Sequence, residues 1–92
     1  MNPTQLRKTV EIAAGKIYYP QCVEYIRGAM KPEFHDLALS TLPYYLPSQI
    51  LDLSTKEERR NAIQSIPQDA VPKHTRQLVE NGVKAMWKKR GI

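Results

Sequence analysis

Residues 15–28, GKIYYPQCVEYIRG, decide the architecture of this chain. The run before them places Leu6, Val10, Ala13 and Ile17 at the spacing of one apolar helical face, with Asn2 as its cap and Pro3 at its first position. Gly15 interrupts that face, two tyrosines follow, and Pro20 stands where a proline can open a new helix, because the N–H it lacks has no intrahelical partner there. Val23, Ile26 and Met30, with Cys22 and Ala29 beside them, then form the inward side of a second helix. One helix therefore turns into another within a few residues, either as a DNA-reading helix-turn-helix or as a packed corner.

Ala13 suits the small residue that a helix-turn-helix needs in its first helix, and Val23 and Ile26 suit the apolar anchors of its second. Four residues after Ala13, however, the left-handed turn position falls on Ile17 where glycine is preferred, and Gly15 comes two residues early. The outward side of the second helix carries Gln21, Glu24, Tyr25, Arg27 and Gly28, and Glu24 would meet phosphates. Register and charge both favour the corner.

Outward from this stretch, prolines punctuate a string of helices. Pro32 restarts the chain, and Phe34, Leu37, Ala38 and Leu42 give a third stripe expected to halt before Pro43. PYYLPSQILDLS (43–54), with two prolines among bulky residues, is expected to be a compact linker or single turns. Ser54 with Glu57, or Thr55 with Glu58, forms a capping-box pattern for a fourth helix through Ala62, Ile63 and Ile66 to Pro67. A last helix is expected from Pro72 or Lys73, using Val79, Val83 and Met86, flanked by Leu78 and Trp87. No segment alternates long enough to propose a strand. The expectation is a single all-α domain over residues 1–92, about five short helices with a basic amphipathic helix at the C-terminus. EFHDLALSTLP (33–43) and EERRNAIQSIP (57–67) align without a gap, but two copies are too few for a repeat array and read as two helices stopped alike by proline.

The net charge of +5 is not spread evenly. Basic and acidic side chains balance through residue 72, so the whole surplus lies in the last twenty residues, where Lys73, Arg76, Lys84, Lys88, Lys89 and Arg90 face Glu80 alone. Lys84, Lys88, Lys89 and Arg90, with Arg27 or Gln21 assisting, are candidates for contact with DNA or RNA, the cations through counterion release at the backbone. Cations in a last helical turn also complement the helix dipole, which gives the same residues a purely structural role. Tyr18, Tyr19, Tyr25, Tyr44 and Tyr45, four of them at proline corners, are candidates for a protein-binding surface.

Catalysis finds no motif. His35 and His74 are far apart without a helical metal-ligand spacing, Cys22 is the only cysteine, and no cofactor fingerprint is present. No apolar run is long enough to span a membrane and the N-terminus lacks a signal-peptide layout, so the expected location is the cytoplasm. The tail AIQSIPQDAVPKHTRQLVENGVKAMWKKRGI (62–92) resembles small accessory and regulatory proteins of temperate phages and prophages, in which a short helix ending in Ile-Pro is followed by a Pro-led basic helix closing on Trp and Lys-Lys-Arg. That resemblance implies a non-enzymatic regulator, of antirepressor or inhibitor type, that binds a repressor or another protein engaged with nucleic acid. The alternative is direct DNA or RNA binding through the basic C-terminal helix, with a helix-turn-helix at residues 10–28 as its weaker form. A homodimer or higher oligomer is a further expectation, since five short helices leave apolar surface to bury.

Overall fold

The computed structural model describes residues 2–91. Among them the chain is all-α: α1 (Pro3–Ala14), α2 (Tyr19–Ala29), α3 (His35–Thr41), α4 (Leu46–Leu51), α5 (Lys56–Gln64) and α6 (Thr75–Arg90), with 3-10 turns at Pro32–Phe34 and Leu42–Tyr44. Asn2 caps α1 by accepting the Gln5 N–H at 2.8 Å, so one of the orphan donors of the first turn is satisfied. No side chain caps α2 from its own N-cap residue. The Tyr19 N–H instead donates to Ser65 Oγ at 3.1 Å, across 46 positions, and the same hydroxyl donates to Ala62 O. The start of α2 is thereby tied to the end of α5.

The corner between α1 and α2 is left-handed at Ile17, with φ +70. A β-branched residue in this region costs about 1–2 kcal/mol, and the position is the one where a helix-turn-helix would carry glycine. Isoleucine holds the conformation because its half-buried side chain packs against the core. The lack of glycine therefore does not prevent the left-handed turn. On α2 the inward face runs through Tyr19, Cys22 and Ile26 to Met30, whereas Val23 is half-buried and Ala29 exposed. Cys22, Ile26 and Met30 thus lie on the expected face, Tyr19 joins them, and Val23 and Ala29 fall at its edges.

The segment expected to be a linker is the centre of the molecule. α3 ends at Thr41, before Pro43 as expected, but the chain runs straight on into the Leu42–Tyr44 3-10 turn, where a proline in the first turn removes no hydrogen bond. That turn touches α1, α3, α4 and α6. Leu42, Leu46 and Ile50 are fully buried, and α4 packs most extensively of all on α6. The close approach is possible because residue 82 is glycine: a Cβ there would stand 2.6 Å from Pro47 Cγ.

Thr55 caps α5 through its Oγ, which accepts the Glu58 N–H at 3.1 Å; the Glu58 carboxylate bonds the same hydroxyl instead of reaching back to the Thr55 N–H. α5 stops at Gln64, before the proline, while its counterpart α3 continues into a 3-10 turn. The aligned segments 33–43 and 57–67 therefore end differently, as two separate elements do. α6 begins at Thr75, two or three residues later than expected, and is capped after Arg90 by Gly91, whose left-handed φ of 72 lets its N–H reach Lys88 O and Trp87 O. The buried apolar residues form one cluster from Val10 to Val83. No helix is long and apolar enough to cross a membrane among the described residues.

Candidate binding groove

α5 and α6 lie side by side without filling the space between them. α5 is charged along most of its length, and Ala62 is its one buried residue. Its spacing sends Lys56, Arg59, Arg60 and Ile63 towards α6, since residues three, four and seven apart share a helical face. From the other side α6 contributes Arg76, Glu80 and Lys84, each one turn from the next, with Val83 and Trp87 on the adjoining rows. The result is a groove of about 430 Å³, within the size range of ligand pockets. Five cations rim it, one carboxylate interrupts them, and Ile63, Val83 and Trp87 form an apolar floor.

Two of the five cations are partly committed. Arg59 Nη1 donates to Leu53 O at 2.8 Å, and Arg76 Nε donates to Ile66 O at 2.7 Å while its Nη2 reaches Ile66 O and, at 3.2 Å, Gln64 O. Arg76 thus supplies donors to carbonyls at and beyond the C-terminal end of α5, which have no intrahelical partner. Lys56, Arg60 and Lys84 are exposed and make no ion pair among the described residues. Trp87 is half-buried, and its Nε1 is turned inward without a hydrogen-bond partner.

Of the residues proposed for contact with a nucleic-acid backbone, Lys84 alone lines this groove. Lys88 and Lys89 are exposed further along α6, and Arg90 pairs with Asp52 at 3.2 Å in a solvent-exposed contact, a type worth about 0–1 kcal/mol. Arg27 is on the exposed side of α2, outside the groove.

The tyrosines do not form one surface. Tyr19 is only 5% exposed, so it is core and cannot touch a partner; burial pushes its phenol above the ordinary value, opposed by a backbone hydrogen bond from Val71. Tyr25 and Tyr45 are half-buried against the core, and Lys16 Nζ lies 5.5 Å from the Tyr25 ring centroid. Tyr18 and Tyr44 keep exposed rings, at 40% and 75%. Trp87, on the Val79–Val83 side of α6, is half-buried and lines the groove floor.

Cys22 is fully buried, and the loss of hydration pushes its thiol up to about 11, which leaves it protonated and unreactive in neutral water. His35 Nε2 is held 2.8 Å from Met30 O. No group of three or more His, Cys, Asp or Glu is placed to hold a metal ion among the described residues.

The α5 half of the groove escapes a reading by net charge, because Lys56, Arg59 and Arg60 are offset in sequence by Glu57 and Glu58. The signal that reveals it is spacing: positions 56, 59, 60 and 63 share a face from which 57 and 58 are absent. No family model, no curated protein and no solved structure matches this chain.

Proposed function

We propose that the protein is a small non-enzymatic regulator that acts by binding a partner protein engaged with nucleic acid, in the manner of an antirepressor or inhibitor, within the cytoplasm. The observation that carries this reading is the groove between α5 and α6, where cations surround an apolar floor. Buried apolar contact supplies affinity, and the charged rim supplies orientation and speed of encounter. The contact surface moves accordingly from the tyrosine corners to α5 and α6, with Tyr18 and Tyr44 left as secondary contacts.

A second reading, direct contact with a DNA or RNA backbone, draws on the exposed Lys84, Lys88 and Lys89 along α6. A salt titration against random-sequence duplex DNA separates the two. The expected result is feeble binding that is indifferent to changing these three lysines to alanine, alongside co-purification of one protein that is lost on Lys56→Glu with Lys84→Glu. A steep fall of DNA affinity with salt, abolished by the alanine variants, overturns the protein-partner reading.

A further inference from the structure

The chemistry of the groove restricts what enters it. Its floor offers Ile63 and Val83, aliphatic groups that a sugar-phosphate backbone cannot cover, and one aromatic ring, Trp87, where single-stranded bases would need a row of platforms. Glu80 stands midway along the α6 side, one turn from Arg76 and one from Lys84, so a continuous track of phosphates would run over a carboxylate. The guanidiniums of Arg59 and Arg76 keep their charge but are partly held by backbone carbonyls, which fixes their direction. Three cations hold no hydrogen bond among the described residues and are the freest to meet an incoming anion: Lys56 and Arg60 on one bank, Lys84 on the other. Such a spacing suits discrete carboxylates above an apolar seam.

The packing of α5 points the same way. With a single fully buried residue, it presents to the groove a side that the described residues cover only in part, at Arg59 and Ile63. Nine residues at the helical rise make it about 13 Å long, so two to three turns of an added helix would run its full length.

We infer that the groove receives an acidic, amphipathic helical segment of the partner protein, with carboxylates paired to Lys56, Arg60 and Lys84 and aliphatic or aromatic side chains laid on Ile63, Val83 and Trp87. The inference rests on the protein-partner reading above and assigns its contact chemistry. A helix placed in a groove between two others completes a three-helix layer, a recurrent mode of peptide recognition. Acidic character follows from the rim, and amphipathic character follows from the floor.

Trp87 is the only tryptophan, so its emission reports on the groove without a label. The full chain is titrated with a short helical peptide that has leucines on one face and glutamates elsewhere. Parallel titrations use the same peptide with every leucine changed to serine, and random-sequence duplex DNA. The expected result is a saturable blue shift with the leucine peptide, about tenfold weaker binding of the serine peptide, and about tenfold weaker binding of the leucine peptide to Lys56→Glu with Lys84→Glu. Both lysines are exposed, so these variants should keep the helical circular dichroism of the parent, and Lys56→Arg with Lys84→Arg should retain binding.

Equal binding of the two peptides overturns the apolar half of the inference and leaves a merely electrostatic site. Failure of both peptides overturns the inference entirely, while a cellular partner still lost on the double charge reversal would keep the protein-partner reading standing without it. Duplex DNA that outcompetes the leucine peptide and loses affinity on Lys84→Ala overturns the inference and that reading together.

Discussion

α4 and α5 are consecutive helices of opposite construction. α4 has six residues, none charged, and buries Leu46, Pro47 and Ile50. α5 has nine residues, five of them charged, and buries Ala62 alone. Judged as isolated peptides, α5 is the better helix, because Thr55 caps it and glutamates occupy its first turn. Judged by what the tertiary structure removes from water, α4 is the foundation and α5 an attachment. Local propensity and tertiary packing can thus secure neighbouring helices separately, and the helix secured locally is the one free to leave a side uncovered for a partner.

The strongest way to break this contrast is to remove equivalent side chains from the two helices. Leu46→Ala deletes fully buried methylenes in the centre of the core and should cost about 3 kcal/mol. Ile63→Ala, at a half-buried groove position, should cost about 1 kcal/mol. Urea unfolding midpoints measure both. Equal losses would mean that α5 is as deeply integrated as α4, and the uncovered side would lose its meaning.

A smaller effect sharpens the foundation role of α4. Gly82→Ala improves helix propensity by about 1 kcal/mol, yet it forces a methyl to within 2.6 Å of Pro47 Cγ. A proline ring in a buried helix has little room to yield, so overpacking should win and the variant should lose about 1–2 kcal/mol. Gly28→Ala is the internal control, since nothing lies within 4 Å of the Cβ it would add on α2, and a gain of about 0.5–1 kcal/mol is expected. Two glycine-to-alanine changes in helices should therefore shift the thermal midpoint in opposite directions. A stabilised Gly82→Ala would mean that α4 and α6 are not in close contact.

The same contrast explains what was legible in the sequence. α5 was readable because its cap and stripe are local: Ser54 with Glu57 and Thr55 with Glu58 both offered a start, and the Thr55 cap is the one formed. α4 was not, because six residues are too few to show a period, and Pro43 before it and Pro47 in its first turn look like breakers. Pro43 and Pro47 both fall in first turns, where proline is tolerated, and only the packing of Leu46 and Ile50 makes that stretch a helix. The left-handed corner was missed for a related reason: glycine is the local signal, and at Ile17 the conformation coincides instead with side-chain burial against the core. As for the candidate groove, the surplus of charge placed Lys84 and its neighbours on the last helix. The opposite bank stayed hidden, because Glu57, Glu58 and Asp69 balance its three cations in sequence, while the two glutamates lie off the face that lines the groove.

The finest test concerns how an attached helix is held. Arg76 reaches from α6 to Ile66 O and Gln64 O, so it links α6 to the end of α5 by hydrogen bonds where apolar packing is thin. Arg76→Met keeps much of the aliphatic stem and removes the donors. The freed carbonyls are near enough to the surface to regain water, which limits the loss to about 1 kcal/mol. If α5 is an attachment, that loss should be local: amide hydrogen exchange should quicken about fivefold in α5 while the amides of α4 and the inner turns of α6 keep their protection. Uniform acceleration across all helices would show that α5 opens only when the whole molecule does, and that its poverty of buried side chains is no guide to its stability. Local acceleration would instead mark α5 as the movable bank of the groove, able to adjust its distance from α6 to the helix it receives.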